Sequence, residues 1–321
     1  MTETEGKAQR EDRLGWEALG ALLGGLTSAP VPLTGGHLHR MFTVETGAGK
    51  YAVKALNPSV MKRPEARGNF LRSEAFARRA RENGIPALPA LLFDGSPLIE
   101  TEGRFWMIFP WHEGNPLYGN DIAPEMCEKM GEVLARIHAL TEPFRQPGEE
   151  HPDTQDWARY LRLAEEQGAP WKDAVSLDRL NEWSERWNRF RRMEKLCTVS
   201  HRDFEPKNVL WLGGDPTVID WEAAGSVSLA ADVAEGMRCW SRMGESRDPD
   251  KSEAFLEGYR RTAGEERFRL LDLSSAEDAR FGFTEWLAYS MERSLGLAAE
   301  DEAERKLGTE QVWQTLAENR E

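Results

Sequence analysis

The sequence predicts an α+β fold in which a small sheet-rich lobe precedes a larger helical one. Three observations predict it. Period-two alternation recurs up to about residue 109, apolar residues repeat at threes and fours from Pro124 onward, and one strand-like island at 208–220 interrupts the helices. At roughly 150 residues per domain, 321 residues suit two. The expected division is an N-terminal lobe at 1–111, with a tail and helix, an antiparallel sheet and one further helix, and a helical C-terminal lobe at 112–321 that includes the island.

Taken in order, residues 1–12 read as a polar tail, and Leu14, Leu19, Leu22 and Leu23 outline a short amphipathic helix ending at Gly24-Gly25. Residues 41–45 and 50–56 alternate around Gly47-Ala48-Gly49, a hairpin signature. A helix over 67–82 closes at Asn83-Gly84, and strands are expected at 90–93 and 105–109. Met126, Met130, Val133, Leu134 and Ile137 then mark the first helix of the second lobe, with further helices expected at 154–167 and 177–196. The island reads as a second hairpin, 208–212 and 217–220 around Gly213-Gly214-Asp215-Pro216, and everything after Leu229 as helical.

Charge narrows the function classes. The chain carries 41 basic and 55 acidic residues, a net charge of −14, so it lacks the basic surplus that neutralises nucleic-acid phosphates. Twelve tryptophans and thirteen phenylalanines argue against disorder. Cys127, Cys197 and Cys239 include no C-x-x-C pair, which fits a reducing compartment. The apolar stretch 18–26 follows a segment of mixed charge rather than a positive one, and no window is apolar enough to span a bilayer, so a cytoplasmic protein with no membrane partner is expected. The acidic surplus suits a cationic small-molecule ligand.

Chemistry concentrates in three segments. His201-Arg202-Asp203 and Asn208 have the H-x-D-x-x-x-x-N spacing, in which the aspartate accepts a substrate hydroxyl proton and the asparagine binds Mg²⁺ through its oxygen. Asp220 ends an apolar run paired, by the hairpin reading, with the strand beginning at Asn208; two adjoining oxygen donors suit a hard cation held against a triphosphate. In Tyr51-Ala52-Val53-Lys54, alternation places Lys54 on one face with Ala52 and Leu56, a lone cation suited to nucleotide phosphates if an acid holds it. Glu74, on the Phe70, Leu71 and Ala77 side of the next helix, is the expected partner.

With these motifs in order, the chain resembles the aminoglycoside phosphotransferase and choline-kinase-like family, bilobal small-molecule kinases of protein-kinase-like fold. The likeness spans about residues 32–235 and includes Gly131-Glu132-Val133-Leu134-Ala135-Arg136-Ile137-His138 and Asp220-Trp221-Glu222. It implies Asp203 as catalytic base, Asn208 and Asp220 as Mg²⁺ ligands, Lys54 on the nucleotide phosphates with Glu74 orienting it, and Asp232 as the buried aspartate bracing the catalytic loop. Gly35 and Gly36 fall in the phosphate loop. Pro110 and His112 fall at the hinge, where the Pro110 carbonyl and His112 N–H would meet the adenine edge. ATP is the implied donor, with GTP an alternative. The implied acceptor is a hydroxyl of a small, amine-bearing molecule such as an aminoglycoside; a housekeeping kinase of choline, thioribose or homoserine type, or a non-catalytic nucleotide-binding relative, are the alternatives.

Two positions depart from the pattern. The phosphate loop Leu33-Thr34-Gly35-Gly36-His37-Leu38-His39-Arg40 has fewer glycines than G-x-G-x-x-G, and Arg202 stands where this family usually has glycine. Only about nine residues separate Asp220 from the helix near Leu229, with no D-F-G or A-P-E, so no protein-kinase activation segment fits. His37 and His39 are expected to face solvent or bond locally, His138 and His201 to be buried scaffolding, and Trp183 and Trp187 to pack between helices. Glu222 is open between substrate contact and hairpin support. Glu285, Glu292, Glu300, Asp301, Glu302 and Glu304 read mostly as a solvated face.

Overall fold

The computed structural model describes residues 15–33, 38–152, 154–244, 246–280, 282–299 and 301–317. They divide into two compact units, one formed by residues up to Leu117 with Lys207–Gly225, the other by Tyr118–Pro206 with Ser226 onward. The α+β class holds: the first is built on a sheet and the second is mainly helical.

In the first unit a helix at residues 15–22 (α1) precedes five strands, β1 (Val31–Leu33), β2 (Arg40–Thr46), β3 (Gly49–Ala55), β4 (Ile99–Thr101) and β5 (Arg104–Pro110). They form one antiparallel sheet in the order β1-β2-β3-β5-β4. Alternation divides its side chains between two faces. Phe42, Val44, Val53, Trp106 and Ile108 cluster with Leu19 of α1 on one side. Ala52, Leu56, Met107 and Phe109 gather on the other against Phe70 of the long helix Ala66–Glu82, which is α3 after the one-turn α2 (Pro58–Met61). Asn57 caps α2, its side chain accepting the Ser59 N–H at 2.8 Å ahead of Pro58 at the first helical position.

The expected strand at 90–93 does not form. The Ala90 N–H goes to the Glu74 carboxylate and the Leu91 N–H to the Ile108 carbonyl, leaving only a bridge between Phe93 and Ser96. The second hairpin does form, as β8 (Val209–Leu212) and β9 (Asp215–Val218), but its turn is only Gly213-Gly214, with φ of 59° and 88° as a tight two-residue turn needs, so Asp215 and Pro216 pair as strand residues and 219–220 lie beyond the strand. The hairpin is expected in the helical lobe; in the structure it belongs with the sheet. Val218 exchanges backbone hydrogen bonds with Pro86 and Leu88, and Trp211 does so with Asn115, tying both strands to the first unit.

The second unit contains α4 (Pro124–His138), α5 (Trp157–Gln167), α6 (Leu177–Arg192), α7 (Leu229–Trp240), α8 (Pro249–Ala263), α9 (Glu265–Phe268), α10 (Leu273–Ala279), α11 (Phe283–Ser294) and α12 (Glu302–Ala317). Between them β6 (Phe144–Gln146), β7 (Lys195–Ser200) and β10 (Gly225–Ser228) form a small sheet. The helix expected to run to residue 196 stops at Arg192, because Lys195–Cys197 pairs with β6 and Cys197 and Thr198 are buried as strand residues. Trp183 packs edge-on against Phe283, and Trp187 stacks on Phe190, as expected of packing residues. All three cysteines are free, and among the described residues no helix is long and apolar enough to cross a membrane.

Two glycines bring α4 and α8 together. A Cβ on Gly131 would lie 2.0 Å from the Phe255 carbonyl oxygen, and one on Gly258 2.0 Å from that of Glu128, both rigid helix backbone. Gly131→Ala should therefore destabilise by about 3 kcal/mol or more, although alanine improves helix propensity by roughly 1 kcal/mol. Urea unfolding checks this; a variant as stable as wild type would show that the helices separate at little cost.

Candidate active site

Lys54 is the penultimate residue of β3, paired across the sheet with Met41 and Met107, on the face covered by α3. Its side chain is buried, and an isolated ammonium there would be costly. Two carboxylates answer it: Nζ is 2.6 Å from Asp220 Oδ1 and 2.7 Å from Glu222 Oε2. Burial alone would lower the lysine pKa, but the two carboxylates outweigh it and hold the group above its usual range.

Local backbone geometry delivers both acids. Asp220, two residues past β9, adopts φ 60°, ψ 60°, a left-handed conformation that costs a non-glycine residue on the order of 1 kcal/mol. The turn is pinned by Trp221, which is buried, donates its indole N–H to the Val218 carbonyl at 3.1 Å and meets Phe76 of α3 edge-on. One residue earlier, the Ile219 N–H donates to the Asn208 carbonyl at 2.9 Å, so Asn208 and Asp220 stand at adjoining ends of the hairpin. Their amide and carboxylate oxygens are hard donors of the kind Mg²⁺ accepts. Among the described residues no group of three or more His, Cys, Asp or Glu could hold a metal, and Mg²⁺ characteristically needs fewer, completing its shell with water and phosphate oxygens.

Glu74 does not pair with Lys54. Its Oε2 accepts the Ala90 N–H at 2.7 Å, because Lys54 is already matched by the two hairpin acids and the backbone N–H is the donor that the α3 position reaches. Burial pushes the Glu74 carboxyl up to about 7, opposed by the Ala90 hydrogen bond and the charge of Lys54. His39 is likewise buried and bonded locally, its Nδ1 accepting the Asn57 N–H at 3.0 Å, while Nε2 is 3.5 Å from Glu222 Oε2. Burial, reinforced by Lys54, lowers its pKa to about 3 and keeps it neutral. Glu222 thus touches both Lys54 and His39, contacts that residue type and spacing alone did not reveal.

Gly35, Gly36 and His37, like the tail and Glu300, lie outside the described residues. Pro110 is the last residue of β5, opposite Tyr51. The His112 ring accepts the Gly114 N–H at Nδ1 and meets the Thr217 hydroxyl at Nε2, each at 3.0 Å, joining this segment to β9.

Asp203 belongs to the second unit, and the chain crosses to the first between Pro206 and Lys207, inside the H-x-D-x-x-x-x-N segment. Arg202 has φ 67°, which explains why glycine would be comfortable there. The Asp203 N–H donates to His201 Nδ1 at 3.3 Å, its carbonyl accepts the Glu205 N–H at 3.0 Å, and the Phe204 carbonyl accepts the Trp240 indole N–H at 3.0 Å. Trp240 of α7, rather than Asp232, is thus seen bracing the loop. Asp232 instead bonds His138 Nε2 at 2.8 Å, and His138 Nδ1 meets the Tyr259 hydroxyl at 2.8 Å. Burial holds the Tyr259 pKa high, so its O–H donates to Nδ1 and the Nε2–H of His138 donates to Asp232.

Residues 29–271 match the model of the phosphotransferase enzyme family. The chain belongs to this family. A homoserine kinase of Methylobacillus glycogenes is 28% identical over 222 residues, 68% of this chain; the alignment spans just under two thirds, 66%, of that relative's length. Among solved structures, a spectinomycin phosphotransferase in complex with ADP and spectinomycin matches with TM-score 0.65 and 15% identity over 93% of each chain. A Plasmodium vivax ethanolamine kinase matches with TM-score 0.57 and 16% identity, over 89% of this chain and 82% of its own. The chain shares with these solved kinases their overall fold.

The Glu74 proton gives the site a measurable signature. With its folded pKa raised from 4.5 to about 7, its contribution to stability is fully present below 4.5 and is lost as pH rises through 7. Between pH 7.5 and 5, wild type should gain about 2 kcal/mol relative to Glu74→Gln. Unfolding curves for both across that range check it, and a pH-independent gap would assign the titration elsewhere.

Proposed function

We propose that this family member transfers the γ-phosphoryl group of ATP, with Mg²⁺, to a hydroxyl of a small amine-bearing molecule. The observation that carries the reading is the Lys54–Asp220 pair at 2.6 Å, next to Asn208 at the hairpin end: a buried cation for phosphates beside two oxygens for a metal. Asp203 would take the acceptor hydroxyl proton as the new O–P bond forms and the bond to the β-phosphate oxygen breaks, releasing ADP. Lys54 would hold phosphate oxygens through Nζ, and Pro110 and His112 the adenine edge. Asn208 and Asp220 would hold Mg²⁺, which when bound offsets charge on the transferring phosphoryl group. Glu74 would act on Lys54 through its charge and its place under the sheet rather than by a direct bond. The ADP of the spectinomycin phosphotransferase complex supports an adenine nucleotide as donor.

Net charge is a weaker guide to the acceptor than it first suggests. Glu285 accepts a hydrogen bond from Trp187, Glu292 one from Tyr160, Glu304 meets Arg293 and Glu302 meets Arg305. The acids of the last helices are thus engaged within their own unit. Support for an amine comes instead from the relatives, since homoserine and ethanolamine both carry an amine near the hydroxyl. The homoserine kinase match favours a second reading, a metabolic amino-alcohol kinase rather than an antibiotic-modifying one.

Labelled ATP with aminoglycosides, spectinomycin, homoserine, ethanolamine, choline and thioribose decides between them. Against whichever acceptor reacts, Asp203→Asn should lower turnover by about 10²- to 10⁴-fold with little change in nucleotide affinity. Full activity in that variant would remove Asp203 from the chemistry.

The metal assignment has its own readout. Calorimetric titration with a non-hydrolysable ATP analogue should show tighter binding with Mg²⁺ than with chelator, and Asp220→Ala should lose most of that difference. Equal Mg²⁺ dependence in both proteins would overturn Asp220 as a ligand.

A further inference from the structure

We propose that His39 is a phosphate-binding residue: a neutral imidazole whose Nε2–H donates to an oxygen of the nucleotide held beside Lys54. This rests on the kinase reading and adds to it a residue that the motifs do not contain. The ring's state follows from geometry. Nδ1 accepts the Asn57 N–H at 3.0 Å, so its lone pair is engaged and the proton sits on Nε2. That N–H has no hydrogen-bond partner among the described residues, although only 6% of His39 is exposed. Other buried donors, such as the Trp183 indole N–H, are also unmet, so what singles out this one is where it points.

The nearest acceptor is Glu222 Oε2 at 3.5 Å, beyond a good hydrogen bond, and that same oxygen is already 2.7 Å from Lys54 Nζ. The Nε2–H therefore faces the place where Lys54 and its carboxylates converge. Chain position agrees: His39 immediately precedes β2, whose Met41 is paired with Lys54, and it follows the Gly35-Gly36 segment by three residues. A phosphate loop with two glycines offers less freedom for backbone amides to approach an anion than G-x-G-x-x-G does. A fixed imidazole N–H restores a donor there. Neutrality suits the position, because a second cation so near Lys54 would be repelled, whereas a neutral donor adds a hydrogen bond without adding charge.

Two variants separate binding from scaffolding. In His39→Asn the side-chain oxygen can still accept the Asn57 N–H, but nothing reaches the Nε2 position; His39→Gln places an amide N–H close to it. With Mg²⁺ present, His39→Asn should bind ADP and the ATP analogue about 10- to 100-fold more weakly, with adenosine affinity unchanged, and His39→Gln should recover most of the loss. In wild type, the ¹⁵N resonance of His39 Nε2 should shift on adding ADP and not on adding adenosine, a readout that survives if a variant fails to fold. Equal losses for adenosine and ADP, or no loss for either, would reduce His39 to scaffolding, as would an unmoved resonance with ADP bound. Failure of wild type to bind any of these nucleotides would instead overturn the kinase reading itself.

Discussion

A lysine ammonium buried in a five-stranded sheet governs the arrangement of the first unit. Moving such a charge out of water costs several kcal/mol even after the protein relaxes, so Lys54 requires anions within contact distance. The sheet face around it, Ala52, Leu56, Met107 and Phe109, is apolar and supplies none. Both come from a hairpin more than 160 residues away in sequence, at 2.6 and 2.7 Å. This pairing explains why the hairpin packs with the sheet although the chain passes through a long helical stretch before reaching it. The bonds from Val218 to Pro86 and Leu88 fix its position, and the left-handed Asp220 aims the carboxylate. Strain of about 1 kcal/mol at one residue is small beside the cost of leaving the cation unmatched.

Around this matched cluster, burial more than charge decides how the neighbouring groups are protonated. Glu74 takes a backbone N–H and holds its proton up to about 7, while His39 refuses a second proton down to about 3. At neutral pH the cluster therefore carries a neutral imidazole and a carboxyl close to its midpoint. In the second unit one buried polar chain is fully matched. Tyr259, His138 and Asp232 form a chain in which every proton has an acceptor, and the loop bearing Asp203 is held by Trp240. These contacts rigidify the loop's support without placing extra charge on the Asp203 backbone.

Much of this was legible in the sequence, and the reasons differ by residue. Asn208 stood out in the H-x-D-x-x-x-x-N spacing, and the positions of Lys54 and Asp220 in alternation and hairpin patterning, which are local, whereas the turn reads two residues too long because Asp215 and Pro216 look like turn residues and only pairing with Leu212 and Trp211 makes them strand. The sheet face of Lys54 followed from period two alone. Partner choice was not legible, because Glu74 and the hairpin acids compete for one ammonium and the outcome depends on distances that no spacing encodes. Residues 90–93 look like a strand, yet their backbone donors are claimed by Glu74 and Ile108. Lys195–Ser200 was absorbed into the preceding helix because its change of period is short, and only pairing with Phe144–Gln146 makes it a strand.

His39 shows the limit most sharply. From sequence it is a histidine near glycines, for which solvent exposure or a local bond is the ordinary expectation. The bond from the Asn57 N–H is what makes the other nitrogen informative: by occupying the Nδ1 lone pair it fixes the proton on Nε2, on the side of the ring that faces Glu222. The ring thus holds a donor fixed in advance on the side of Glu222, whose carboxylate also meets Lys54, and preorganised donors of that kind are worth most where an anion arrives without reorganising its surroundings.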